Sequence, residues 1–479
     1  MADNLKVKTV KGTLWSTIER LSVQFVGFVV LIIMARKISP SAYGLVGMVA
    51  IFIDVSQSLV DSGFSQALIR KQHRTEVDNS TVFYFNIAVG IIIYAILFAC
   101  SPLIAYFYHQ PELNSLLKVV SLSVVINSFV VVQRALLTSK LDFKTQARAS
   151  LLAAFISGLI GIVMAYNKFE VWALVGYQLS NLLVNNIMLW KYSSWRPVKA
   201  YSWSSFRELF GFGSKLAIAG LLNTIFNNIY ILVIGKFYNS KMVGYYTRAH
   251  QFGSFLSSNV TQILQRVTYP ALCTIQNERE RLLEAYKRFI KLSAFVVFPL
   301  MIGMSSLSEP LVITLLTEEW RFAARLLQIM CLSMMWFPIH AINLNLLQVT
   351  GHSNLFLRLE VIKKSILIGI LIITIRRGME AIIWGQVVNS IVALWINTYY
   401  TGKLMNYGFM KQMADLLPSL IYSVAMGMII WISTYNIDSE IVKLIVGVVV
   451  GVTSYVLIAK FSKSKDFNYI VNLLKHMRL

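Results

Sequence analysis

Long apolar runs repeated along the whole chain constrain this sequence more than any other feature. A hydrocarbon core of ~30 Å takes about 20 helical residues to cross. Read with that ruler, fourteen stretches qualify, at roughly 12–35, 42–69, 81–106, 113–137, 147–166, 171–190, 211–235, 243–269, 289–307, 325–349, 355–375, 381–400, 416–435 and 441–461. The chain therefore reads as an all-α polytopic membrane protein with about 14 transmembrane helices. Composition agrees: 56% of the 479 residues are hydrophobic, 14% are charged and the mean hydropathy is +0.63. No soluble domain needs that much apolar surface, which excludes a secreted or cytosolic enzyme.

The 44 Lys and Arg against 22 Asp and Glu give a formal charge of +22, which in a soluble chain would suggest nucleic acid. Here the bases sit mostly in short connectors such as 70–74, 140–148, 191–207 and 276–291. Anionic membrane lipids and the positive-inside rule explain them better, so no nucleic-acid partner is expected and both termini are assigned to the cytoplasm. In the last connector Glu284 precedes Arg288 by one helical turn, which reads as an amphipathic surface helix. The first apolar run is long enough to span and is soon followed by another, so no cleavable signal peptide is expected. Cys100, Cys273 and Cys331 are widely separated and read as apolar fillers.

The two halves carry an internal repeat. Ala35-Arg36-Lys37-Ile38-Ser39-Pro40-Ser41-Ala42-Tyr43-Gly44 aligns, at an offset of about 200 residues, with Gly235-Lys236-Phe237-Tyr238-Asn239-Ser240-Lys241-Met242-Val243-Gly244. An even number of spans separates the copies, so the halves share one orientation, related by an axis along the membrane normal. Two pseudo-symmetric six-helix lobes, 1–205 and 206–402, are expected, with two further transmembrane helices and a cytoplasmic tail in 403–479.

Polar residues recur on single faces of several spans. Asp54, Gln57, Ser58, Asp61 and Ser65 follow i, i+3, i+4, i+7 and i+11, and Asp54 falls ~20 Å along its helix, near mid-bilayer. Arg248, Gln251, Ser258, Asn259, Gln262 and Arg266 repeat the pattern in the eighth span. Arg20 and Gln24 lie in the first span, Asn127 and Arg134 in the fourth, Asn223 and Asn227 in the seventh, His340 and Asn343 in the tenth, and Gln386, Asn389 and Asn397 in the twelfth. If these faces converge they line a hydrophilic cavity with more positive than negative charge, suited to an anionic substrate.

A plainer reading stands beside each. Arg134 and Arg266 lie near span ends, where long side chains reach the head groups, and Arg248 can do the same from the other side. Arg20 neighbours Glu19, an interfacial ion pair. Asn and Gln stripes also serve helix packing, and His340 just after Pro338 fits a packed residue beside a kink. Asp54 is the hardest to explain structurally, because a midplane carboxylate is expensive.

Several chemistries have no sequence basis. There is no phosphate-binding Gly-x-x-x-x-Gly-Lys-Ser/Thr loop, no His-Glu-x-x-His, no Cys-x-x-Cys and no Gly-x-Ser-x-Gly. ATP hydrolysis is not expected, nor are a cofactor, a metal or a catalytic residue.

The chain resembles the polysaccharide-export branch of the multidrug/oligosaccharidyl-lipid/polysaccharide exporter superfamily, the Wzx-type O-antigen and capsule flippases. The resemblance rests on Val10-Lys11-Gly12-Thr13-Leu14-Trp15-Ser16, the first-hairpin segment quoted above, Asp61-Ser62-Gly63-Phe64-Ser65-Gln66-Ala67-Leu68-Ile69, and Gly244-Tyr245-Tyr246-Thr247-Arg248-Ala249 with Gln251. It implies a V-shaped pair of helix bundles that opens alternately to each side of the bacterial inner membrane. Its cargo would be undecaprenyl-pyrophosphate-linked sugar repeat units for O-antigen, capsule or exopolysaccharide, with a polymerase and a chain-length regulator as partners. It also implies basic cavity residues, which Arg20 and Arg248 fit, and Arg134 and Arg266 less closely. In a similar lipid-linked precursor flippase the last two helices form a groove for the polyprenyl tail, so here they would either do the same or pack on the second lobe; ion coupling varies in the family, and Asp54 and Asp61 are the candidates for it in this chain. The alternatives are a drug or cation antiporter of the same superfamily, which favours an acidic cavity, and a membrane-embedded polymerase, for which the outer connectors are short.

Overall fold

The computed structural model describes Trp15, 22–61, 63–71 and 73–476. Helix dominates because lipid offers the backbone no hydrogen-bond partners, so each span satisfies its own. The first unit holds α1 (Ser22–Ala35), α2 (Pro40–Asp61), α3 (Phe64–Arg70), α4 (Glu76–Tyr108), α5 (Glu112–Val120), α6 (Leu122–Ser128), α7 (Val131–Ser139), α8 (Phe143–Tyr166), α9 (Val171–Tyr192) and α10 (Trp203–Phe237). There follow α11 (Ser240–Thr274), α12 (Arg279–Ser306), α13 (Ser308–Leu315), α14 (Arg321–Met334), α15 (Phe337–Val349), α16 (Ser353–Thr374), α17 (Met379–Met405), α18 (Phe409–Thr434), α19 (Glu440–Phe461) and α20 (Lys465–His476).

Among the described residues nine helical segments are long and apolar enough to cross a membrane, or ten if the pair bent by 41° between Ser128 and Val131 counts as one span. The remaining long helices α9, α11 and α16 have the length, with 22, 35 and 22 residues, but α9 and α11 carry polar residues that dilute their hydropathy and α16 carries Arg358, Glu360, Lys363 and Lys364. The basic stretch before the ninth span is not a separate surface helix. It runs without a break into that span as α12, and its Arg288 lies over the Tyr469 ring of α20. Between α14 and α15 the helix breaks, and Pro338 sits in the first turn of α15, where its missing N–H costs no hydrogen bond.

The chain divides into two compact units, Met1–Gly244 and Tyr245–Leu479. The division expected after residue 205 counts repeats; the observed one follows packing, since α10 lies against α2, α3 and α4. Around α3 the first unit is cored by Phe64, Leu68, Val82, Phe83, Val132 and Trp195. The start of α4 is fixed by a capping box in which Asp78 N–H donates to Thr75 Oγ1 and Thr75 N–H to Asp78 Oδ2. In the second unit α12 packs on α18, α18 on α19, and α14 on α17.

The repeat has a physical counterpart within the first unit. A Cβ on Gly44 would stand 1.6 Å from the Ser240 carbonyl oxygen, and one on Gly244 would stand 1.9 Å from that of Pro40. Ser41 and Ser240 share a hydroxyl hydrogen bond of 2.6 Å. Pro40 pairs with Ser240 and Gly44 with Gly244 in the alignment, so the two copies meet reciprocally at a crossing only glycine permits.

Candidate functional site

The polar face of α2 opens on a cleft of about 690 Å³ inside the first unit. The 3.6-residue period places Asp54, Gln57, Ser58 and Asp61 along one wall. Ser65 and Gln66 of α3 extend it, Asn127 of α6 with Arg134 and Thr138 of α7 form a second wall, and Thr224, Asn227 and Asn228 of α10 a third. Asn228 donates to Asp54 Oδ2 at 3.3 Å and to the Thr224 carbonyl at 3.1 Å, while Ser65 donates to Asp61 Oδ1 at 2.6 Å. Each carboxylate thus has one oxygen held by its neighbour, and both residues are open to the cleft.

Two helix breaks shape this space. Between α2 and α3 Gly63 adopts φ 67°, and a Cβ there would lie 2.5 Å from the Gly213 carbonyl oxygen of α10. This position combines the left-handed region with a close backbone approach, and glycine answers both. The 41° bend between α6 and α7 is the second break. Broken helix at membrane depth frees backbone groups from the ladder, which is tolerated where they face protein or a wet cavity.

Four of the expected site residues, Asp54, Asp61, Arg134 and Asn227, come together here. Asn223 lies one turn from Asn227 on α10 but is not part of the lining, nor is Gln24 of α1. Arg20 lies outside the described residues. The remaining four belong to α11 in the second unit. Arg248 donates to Gln251 at 2.6 Å, Asn259 donates to the Phe255 carbonyl at 2.6 Å, and Arg266 is exposed. The cleft's described ionisable lining is therefore two carboxylates and one guanidinium. Of the arginines expected beside a cavity, Arg134 is the one that the described residues place on these walls, and Arg248 and Arg266 belong to the second unit.

The polar residues of the tenth and twelfth spans do something else. In the second unit His340 Nε2 meets Ser390 Oγ at 3.1 Å and its Nδ1 lies 3.3 Å from Asn397 Nδ2. Buried Asn343 accepts from Tyr286 at 2.7 Å and from Gln412 at 3.0 Å. These amides tie α12, α15, α17 and α18 together, the packing role such residues take where water is absent. Sequence reading passed over Tyr286, Ser390, Thr401 and Gln412, whose partners lie far along the chain. It also passed over Asn228, although the Asn227-Asn228 pair was a visible signal.

A second, apolar groove of about 550 Å³ lies in the second unit. Pro299, Leu300 and Gly303 of α12 face Met426 and Ile430 of α18 and Val448, Gly451 and Val452 of α19, with Phe467 and Ile470 of α20 also in the lining. The last two spans thus form part of an apolar groove.

Comparison with known proteins adds three findings. A family model described as polysaccharide biosynthesis protein matches residues 33–325. The chain is similar to the teichuronic acid biosynthesis protein TuaB of Bacillus subtilis (strain 168), 24% identical over 67% of each chain, and to the succinoglycan biosynthesis transport protein ExoT of Rhizobium meliloti (strain 1021), 22% identical over 95% of this chain and 93% of ExoT. Among solved structures it resembles the lipid II flippase MurJ in an inward closed conformation, with a TM-score of 0.76 and 14% identity over 94% of this chain and 99% of that one. At that identity the likeness speaks for the fold.

Proposed function

The chain belongs to the family of polysaccharide biosynthesis proteins, and from that membership we propose that it is a flippase for lipid-linked oligosaccharides, a transporter and not an enzyme. The observation that carries this reading is the polar cleft of about 690 Å³ walled by membrane-length helices. A sugar head group cannot cross ~30 Å of hydrocarbon unaided, because its hydroxyls would lose their hydrogen bonds to water. A wet cleft with fixed acceptors and amides replaces those bonds, and the apolar groove of the second unit offers the lipid tail a dry path.

In this reading the lipid carrier is undecaprenyl pyrophosphate in the bacterial inner membrane, the Lys/Arg-rich connectors face the cytoplasm, and a polymerase and a chain-length regulator act downstream. The repeat boundaries near 205 and 402 mark two lobes that alternate in access. Arg20, Arg248, Arg134 and Arg266 serve the anionic part of the cargo, with Gln24, Gln251, Asn259, Asn223 and Asn227 as hydrogen-bonding neighbours. Asp54 and Asp61 bind the coupling ion in the conformation that has released the cargo. No bond is made or broken; transport is a shift between conformations that hold the cargo differently.

Gene deletion tests the reading. The expected result is loss of a surface polysaccharide, with its lipid-linked repeat unit accumulating on the cytoplasmic leaflet and both effects reversed by the wild-type gene. A deletion strain with normal polysaccharide and lowered drug tolerance would instead support a drug or cation antiporter.

A further inference from the structure

The chemistry of the first-unit cleft points beyond a generic glycan to its class. Within that space the described ionisable groups are Asp54, Asp61 and Arg134, while Gln57, Gln66, Asn127 and Asn227 contribute amides. An anionic sugar needs cationic donors in excess, and a second carboxylate brought beside Asp54 and Asp61 meets like charge in a medium that screens it poorly. A neutral sugar has the opposite requirement. Its hydroxyls are donors that a carboxylate accepts, and they are also acceptors that amide N–H groups satisfy.

The atoms are arranged for that task. Asn228 holds Asp54 through Oδ2 and Ser65 holds Asp61 through Oδ1, and both carboxylates line the cleft, where each has acceptor capacity beyond that one hydrogen bond. The two residues are seven apart on α2, two helical turns or ~10 Å along the axis. That spacing spans about two sugar rings. We infer that this wall recognises a neutral, hydroxyl-rich segment of the transported glycan and discriminates against uronate-bearing or phosphate-bearing sugars in the same position. The inference rests on the flippase reading and deepens it.

The test uses the full chain in lipid nanodiscs and two lipid-linked tetrasaccharides that differ only in whether the sugars are hexoses or hexuronates, with retention measured by native mass spectrometry. The hexose form should bind at least about tenfold more tightly, and the gap should close in the isosteric double variant Asp54→Asn, Asp61→Asn. Equal binding, a preference for the hexuronate, binding of neither, or a gap the double variant leaves intact would overturn the inference. The flippase reading is checked separately by the deletion strain. Loss of its polymer beside a hexuronate preference in the nanodisc removes only the specificity.

Discussion

Asp54 stands where a carboxylate is costly: placing one at the centre of a membrane helix carries an insertion penalty of about 2.5–3.5 kcal/mol. The cleft relieves that cost by keeping the group open to solvent, and Asn228 supplies one donor. Its position was legible because a 3.6-residue period needs no tertiary information. Which oxygen is held, and by what, was not legible, since Asn228 lies 174 residues away. Gly63 illustrates the same limit. Nothing in the Asp61-Ser62-Gly63 sequence announces that φ must be 67° and that the Gly213 backbone lies against it. Gly63→Ala is therefore expected to cost about 1–3 kcal/mol and to lower the thermal midpoint of the purified protein in detergent. An unchanged midpoint would mean that the strain and the close approach are both relieved elsewhere.

At the scale of elements, hydropathy located the helices because crossing a bilayer fixes their length, but it could not locate their breaks. The α2–α3 and α6–α7 interruptions fall inside runs that read as single spans, and both border the cleft. Polar faces with the same period also proved to do different work: that of α2 opens on a cavity, whereas His340, Asn343 and Asn397 bond to neighbouring helices. Periodicity shows that a face is polar and is silent on what it meets. The C-terminal α20 offers an element-scale test. Burial pushes the Asp466 carboxyl above its ordinary range, reinforced by the Asp415 charge and opposed by Lys291 and Arg288. A carboxyl that binds its proton more tightly when docked stabilises docking fully below the ordinary carboxylate value of about 3.9, and that contribution is lost as pH rises through the raised value. Hydrogen exchange in α20 should therefore quicken across that acidic window, and Asp466→Asn should abolish the change. Exchange that slows with rising pH, after correction for intrinsic rates, would reverse the sign and refute the argument.

At the scale of the whole molecule the first unit holds a polar cleft and the second an apolar groove, the two kinds of environment that the two ends of an amphipathic cargo require. The all-α polytopic fold was legible from span length alone, and the family from short motifs in their order. Which polar residues share one cleft was not, because the period of a face does not say which helices it meets. The central claim is that this chain carries a lipid-linked glycan between leaflets. Its most direct measurement is in proteoliposomes holding a lipid-linked oligosaccharide, with an impermeant glycosidase added outside. Protein-free vesicles should expose only the outer-leaflet half, and vesicles with the wild-type chain should expose nearly all. Exposure that stays at one half with correctly folded protein present would contradict the account.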